Sequence, residues 1–323
     1  MPLWLSESDV RATLPMADLI EAMQTALAAF SAGRVIQPVR TVMEYGERRF
    51  FGLMPALDPD GPMLGAKLLT YLPDNTALGL ASHQASIALF EPATGALLAI
   101  TDGRYITEAR TAAVSAVSVR HLARRDARVL AILGSGVQAH SHLEALPLVR
   151  EFAEIRVWSP NAGRLRHFVE EHAALGGIHA APTAEAAVRG ADVIVLATAA
   201  TTPVMESSWV SPGAHIAAVG ACRFNHCEAD PALVARSLLV CDSRAAAMKE
   251  AGDILLAIAS GHLAADPIHA ELGEVVAGTK SGRSGPEQVT FFKSLGLAIE
   301  DVVSAGLVYR RARQSGRGTE VPL

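Results

Sequence analysis

A chain of 323 residues, half of them apolar, holds material for about two domains and a sizeable core. Its formal charge of −5 offers no basic stripe for nucleic acid, and no apolar run approaches the ~18 residues of a membrane span. The opening Met1-Pro2-Leu3-Trp4-Leu5-Ser6-Glu7 lacks a basic segment followed by an apolar one, and three cysteines suggest no disulfide framework, so a cytoplasmic location is expected.

In chain order, Pro15 is suited to an early helical position, and Leu19, Ile20, Met23, Leu27 and Phe30 recur at helical spacing before Gly33. Between 35 and 100 the texture changes to β-type runs, Arg49–Met54, Leu64–Tyr71, Ala85–Phe90 and Leu97–Thr101, separated by Pro, Gly and Asp. They predict a mixed, mostly antiparallel sheet. Thr107–Leu122 reads as a helix leading into the polar link Arg124-Arg125-Asp126. Strands are then expected at 127–133, 155–158, 191–198, 215–220 and 238–242 with helical or turn segments between them, the alternation of a Rossmann-type, doubly wound parallel sheet. The tail Phe291–Arg313 reads as helical, with Leu295, Ile299, Val302, Val303 and Leu307 on one face, and is expected to return to the N-terminal sheet.

The most informative stretch is Ala127–Ala139, in which an apolar strand empties into Gly134-Ser135-Gly136-Val137-Gln138-Ala139. The first glycine of such a G-x-G-x-x-A run permits a tight turn, and the second lets backbone approach a pyrophosphate. The small third residue lets the next helix pack closely and aim its N-terminus at the phosphates. NAD-specific folds carry an acid about 20 residues further on, at the end of the second strand. Here Ser159-Pro160-Asn161 stands there, with no acid from Ile155 through Leu165, and Arg164 or Arg166 can neutralise a 2′-phosphate. NADPH is therefore the expected cofactor, with NADH the alternative. Cys222, His226 and Cys227 lack the second ligand pair of a zinc site, so no metal is expected.

Several segments, taken together and in order, resemble the ornithine cyclodeaminase and mu-crystallin family. They are Gln37-Pro38-Val39-Arg40-Thr41-Val42, Met54-Pro55-Ala56, Gly65-Ala66-Lys67-Leu68, Ser82-His83-Gln84-Ala85, Leu89-Phe90-Glu91-Pro92, Arg110-Thr111-Ala112-Ala113, the glycine run itself, Lys249-Glu250-Ala251-Gly252-Asp253, Glu271-Leu272-Gly273-Glu274 and Phe292-Lys293-Ser294-Leu295-Gly296. The resemblance implies a homodimer. It would have an α/β substrate-binding and dimerisation domain over 1–117, completed by a returning helix at 296–323, and a Rossmann domain over 118–295. It also implies an amino- or imino-acid substrate whose carboxylate is held by Arg40, Lys67 and Arg110. A guanidinium stays charged at any working pH and grips a carboxylate with two parallel bonds. The expected cofactor set is Ser82, His83, Arg110, Gly134, Gly136, Val137, Gln138, Ser159, Pro160, Asn161, Arg164, Thr198, Val219 and Ser294.

The family divides by chemistry after the position of Gly220. Cyclodeaminases resembling this chain place an Asp two residues later and a Lys four beyond that, where this chain has Cys222 and His226. A thiol with an ordinary pKa near ~8.5 cannot give a substrate ammonium the charge of a carboxylate. Mu-crystallin-like ketimine reductases also lack that Asp, and Arg223 matches their pattern, whereas Phe224 replaces their proline. The expected activity is NAD(P)H-dependent reduction of a small cyclic α-imino acid, Δ1-pyrroline-2-carboxylate or Δ1-piperideine-2-carboxylate, to L-proline or L-pipecolate. His83 is the titratable candidate for proton donor, with a cofactor-positioning role as its alternative. Ornithine or lysine cyclodeamination, and NADPH and small-ligand binding without turnover, are the other readings.

Overall fold

The computed structural model of the chain describes all residues except 48, 60, 62 and 323. Two compact units emerge, one from Met1–Arg110 with Gly296–Leu323, the other from Thr111–Leu295. The division falls inside one helix, earlier than the 117/118 boundary expected.

The first unit opens with β1 (Leu3–Leu5), α1 (Glu7–Thr13) and α2 (Met16–Ser31), followed by β2 (Thr41–Gly46), β3 (Arg49–Asp58), β4 (Met63–Tyr71), β5 (His83–Phe90) and β6 (Leu97–Asp102). Helix α3 (Arg104–Leu122) carries the chain into the second unit. There follow β7 (Val129–Leu133), α4 (Val137–Ala145), β8 (Glu154–Trp158), α5 (Ala162–Glu171), β9 (Ile178–Ala180), α6 (Ala184–Val188), β10 (Val193–Leu196) and β11 (His215–Ala218). The unit continues through α7 (Pro231–Ala235), β12 (Leu238–Cys241), α8 (Arg244–Glu250), α9 (Gly252–Ala259), β13 (Ala270–Glu271), α10 (Leu272–Val276) and β14 (Thr290–Lys293). Helix α11 (Ala298–Ser315) and β15 (Thr319–Glu320) belong to the first unit again.

In the first unit the seven strands run β15-β1-β6-β5-β4-β3-β2, antiparallel except for the β1–β6 pair. The mixed, mostly antiparallel sheet expected for this region is present. Strand β3 buries Gly52, Met54 and Ala56 on alternate positions and β4 buries Gly65, Lys67 and Leu69, so one face is a core face. Helix α11 lies on β3, β4 and β5 and against α2. Contact is close because glycines stand where side chains would collide. A Cβ on Gly65 would lie 3.2 Å from Val302, and one on Gly306 2.5 Å from the Met63 sulfur. Helix α1 starts at Ser6 with a capping box, Ser6 and Asp9 satisfying each other's backbone amides.

The second unit is an eight-stranded sheet, β13-β12-β14-β11-β10-β7-β8-β9, parallel throughout. The order of β9-β8-β7-β10-β11 is that of a doubly wound nucleotide-binding sheet. Its central strands are buried at every position because helices cover both faces, so they read as continuous apolar runs. One expectation fails here. Phe291 does not begin the C-terminal helix but lies in β14, between β11 and β12, and the helix starts at Ala298. Val289-Thr290-Phe291-Phe292 is a β-branched and aromatic run, and burying each Phe contributes about 2–3 kcal/mol. Gly296, at φ +84°, then breaks the chain away from the strand. Among the described residues no helix is long and apolar enough to cross a membrane.

Candidate active site

In the first unit, Gly65 and Lys67 share the face of β4 that meets α11, and this alternation sends a lysine into the core. The Lys67 side chain is 1% exposed, its Nζ 2.6 Å from Asp301 Oδ2. It also donates to Thr107 Oγ1 at 3.3 Å. The other Asp301 oxygen accepts from Arg110 Nε at 3.2 Å, and Arg110 Nη1 donates to Glu300 Oε2 at 2.9 Å. Glu300 and Asp301 are fully buried, so the guanidinium forks across two adjacent carboxylates in the first turn of α11. Gly296 makes room for it, since a Cβ there would stand 2.4 Å from Arg110 Nη1. Gln37 Oε1 accepts from Ile299 N at 2.8 Å, which fastens the segment carrying half-buried Arg40 to the start of the same helix.

Three of the expected residues therefore come together with two that the sequence reading missed. Burial pulls the Lys67 pKa down to about 8, with the Arg110 and Arg40 charges adding to the fall and Asp301 opposing it. His83, at the start of β5, is lowered to about 4 by burial and then by Lys67 and Arg110. Its imidazole is neutral at pH 7, which favours hydrogen bonding over donation of an acidic proton. Ser82 is half-buried and its carbonyl accepts from Leu72 N at 2.8 Å. Lys67 and Arg110 thus meet the carboxylates of Asp301 and Glu300, and the Arg40 charge acts on Lys67.

In the second unit the glycine run turns as its chemistry requires. Gly134 lies at φ +121°, and a Cβ there would be 2.3 Å from the Ala197 carbonyl oxygen, so no other residue fits. A Cβ on Gly136 would meet only open space, which leaves its backbone approachable. Gly136 is the N-cap of α4 and offers no side-chain cap; Val137 is 54% exposed, and the buried Gln138 Oε1 accepts no hydrogen bond among the described residues. Uncapped amides at an open helix start form a site for a pyrophosphate, so these residues fit a dinucleotide. Ser159 is half-buried, while Pro160, Asn161, Arg164 and Arg166 are exposed. Asn161 Oδ1 caps α5 by accepting from Arg164 N at 2.9 Å.

Thr198, Val219 and Ser294 follow the ends of β10, β11 and β14. Their setting revolves around Glu228, a buried carboxylate absent from the sequence reading. Its Oε1 accepts from Thr198 N and Oγ1, both at 2.7 Å, and its Oε2 from Gly220 N and Ala221 N, both at 2.9 Å. Asp253 Oδ1 in turn accepts from Glu228 N and Ala229 N, and its Oδ2 pairs with fully buried Lys293 at 2.9 Å. Ser294 Oγ donates to Asp242. Val219 is buried. The Cys222 thiol donates to the carbonyls of Val219 at 3.4 Å and Ser294 at 3.9 Å, so a neutral donor occupies this strand-end position. The Thr198 hydroxyl proton is thus engaged inside the protein.

The missed acids had a faint signature. Glu300 and Asp301 interrupt the apolar stripe of Ile299, Val302 and Val303, and adjacent carboxylates on the buried side of a helix require buried cations. No spacing motif marked Glu228, whose four donors come from Thr198 in the loop after β10 and from Gly220 and Ala221, eight and seven residues back in its own loop.

The profile of the ornithine cyclodeaminase/mu-crystallin family matches residues 2–316. The chain belongs to that family. It is 44% identical over 315 residues to ketimine reductase mu-crystallin of Mus musculus, covering 95% of this chain and 96% of the relative. It is 35% identical over 323 residues to a Bacillus cereus Delta(1)-pyrroline-2-carboxylate reductase, covering 99% of each. Among solved structures, Thermococcus litoralis Delta(1)-pyrroline-2-carboxylate reductase in complex with NADH and L-proline is 38% identical with a TM-score of 0.96, over 99% of this chain and 100% of that one. The resemblance carried by the sequence motifs thus extends over the whole family fold.

Proposed function

We propose that this family member is an NADPH-dependent reductase of cyclic α-imino acids, with NADH as a second cofactor, forming L-proline or L-pipecolate from Δ1-pyrroline-2-carboxylate or Δ1-piperideine-2-carboxylate. The observation that carries the reading is the buried array of Lys67 and Arg110 on Asp301 and Glu300, with Arg40 beside it. The reductase names of the relatives support it.

NADPH, when bound, supplies the hydride that C2 of the imine accepts. Gly134, Gly136, Val137 and Gln138 would hold its pyrophosphate, and Ser159, Asn161 and Arg164 its 2′-phosphate. Pro160 would shape that turn, and Thr198, Val219 and Ser294, after the ends of β10, β11 and β14, would complete the cofactor site. Arg40, Lys67 and Arg110 hold the substrate carboxylate, which fixes the ring and neutralises the charge next to the reacting carbon. Lys67, lowered to about 8, both carries and releases a proton near neutral pH, so it holds the proton for the ring nitrogen. Neutral His83 and Ser82 position rather than protonate. Cys222 offers a substrate amine no counter-charge, which weighs against cyclodeamination.

The sheet of the first unit also supports a homodimer. Its face away from α11 carries Met43, Leu53 and Leu68, which are 57%, 36% and 43% exposed, and Leu53 pairs with Leu68 across β3 and β4. The three cysteines are thiols, in keeping with the cytoplasm. The test is NADPH oxidation across a panel of cyclic and open-chain imines with chiral analysis of product. Turnover confined to cyclic α-imino carboxylates supports the proposal, and turnover of none of them refutes it.

A further inference from the structure

Away from the clamp and the dinucleotide cradle, the second unit gathers three metal-ligating side chains from residues distant in sequence. His140 stands on α4, Glu171 is the last residue of α5 and His172 is that helix's C-cap. His140 Nδ1 lies 2.7 Å from His172 Nε2. One ligand atom from each of the three, two imidazole nitrogens and a carboxylate oxygen, falls within 4.8 Å of the others. A nitrogen–nitrogen hydrogen bond requires one ring to present a lone pair, so at least one imidazole is in its ligating, neutral form. Two nitrogens bound to one tetrahedral zinc stand about 3.3 Å apart, so a small opening of this pair admits the ion.

The rings are held for that purpose by packing. Phe168, buried on the inner side of α5, contacts both, its centroid 4.6 Å from that of His140 and 4.8 Å from that of His172. The Glu171 carboxylate, by contrast, is half-exposed, with a long contact of 3.9 Å to the exposed His167. It can swing onto a bound ion at little cost, and the carbonyl end of α5 favours positive charge there.

We propose that His140, Glu171 and His172 bind one transition-metal cation of the zinc class, with water completing the coordination, as a staple between α4 and α5. Nitrogen and carboxylate donors in a four-coordinate arrangement select zinc or cobalt(II) over magnesium or calcium, which want six or more oxygens. Sequence spacing does not reveal this set, because His140 and His172 stand 32 residues apart and meet only in the folded chain.

The experiment uses the full-length protein, stripped with a chelator and desalted, then titrated with Zn2+ by calorimetry and with Co2+ by visible absorption. One equivalent should bind, the Co2+ form should absorb with the intensity of a four-coordinate site, and Zn2+ should raise the melting temperature. His140→Gln and His172→Gln should each weaken binding by at least about tenfold and abolish the thermal shift. Glu171→Gln, at an exposed position that leaves the core untouched, should also weaken it and serves if a histidine variant does not fold. No binding by wild-type protein, or variants that bind as tightly as wild type because the metal sits on other surface histidines, would overturn the proposal.

Discussion

Replacing Asp301 with Asn removes one buried charge and almost no volume, so the response isolates the electrostatics of the clamp. The folded chain holds the Lys67 proton only up to about pH 8, whereas the unfolded chain holds it to 10.5. Lys67 therefore adds stability above 10.5 that is lost as pH falls through 8. Without Asp301, burial and the Arg110 charge act unopposed, and the lysine folds neutral near pH 7. Stripping a proton one unit below its pKa adds about 1.4 kcal/mol. Losing the charge-assisted bond to Arg110 Nε adds about 1.5–3 kcal/mol at any pH, since Glu300 still holds the other arm. Asp301→Asn should thus be destabilised by about 3–4 kcal/mol near pH 7 and by about 1.5–3 kcal/mol near pH 9, where the wild-type lysine is also mostly neutral. Thermal denaturation at the two pH values reads the narrowing gap. The pH profile of kcat/KM reads the chemistry, because the wild-type alkaline limb near 8 should move to lower pH in the variant while the substrate's own titration stays fixed. An alkaline limb that stays in place, or a stability gap that widens with pH, would refute the role given to the Lys67–Asp301 pair.

Arg110→Ala should lower kcat/KM by roughly thirty-fold or more, corresponding to about 2–5 kcal/mol for an unpaired carboxylate; a folded variant within about threefold of wild type, near 0.7 kcal/mol, would remove Arg110 from the clamp. Wild-type enzyme should use NADPH more efficiently than NADH, and Ser159→Asp should reverse or erase that ratio by repelling the 2′-phosphate, so a wild-type preference for NADH would contradict the assignment of Ser159, Asn161 and Arg164. Glu228→Gln turns an amide NH2 toward backbone donors that now reach a carboxylate oxygen, and should cost about 2–3 kcal/mol with a lowered melting temperature; an unchanged melting temperature would show that the loops after β10 and β11 do not depend on it.

The dinucleotide cradle was legible because its determinants are local. A glycine forced to φ +121° against the Ala197 carbonyl, and another facing open space, follow from residue type and spacing alone. The doubly wound alternation was legible for the same reason. The helix expected from Phe291 was not, since a short strand buried on both faces has no period of its own and abuts the apolar stripe of the true helix. Strands β1, β2, β9, β13 and β15 are short or exposed, so no buried alternation marks them in the sequence. Within the clamp, Lys67 and Arg110 came from motif resemblance, but their partners Glu300 and Asp301 lie about 190 residues further along the chain from Arg110, with sequence separations of 190 and 191. What sequence hides here is tertiary pairing of charge, which decides that Lys67 titrates near neutrality and His83 does not.

The most direct test of the central claim sets two reactions side by side on the purified protein. Given Δ1-pyrroline-2-carboxylate and NADPH, it should consume cofactor and form L-proline in equal amounts. Given L-ornithine and NAD with no imine, it should release no ammonia beyond background, because Cys222 supplies the departing amine with neither a counter-charge nor a matched base. Catalytic ammonia release from ornithine, with proline accumulating and no net change in cofactor redox state, would contradict the account.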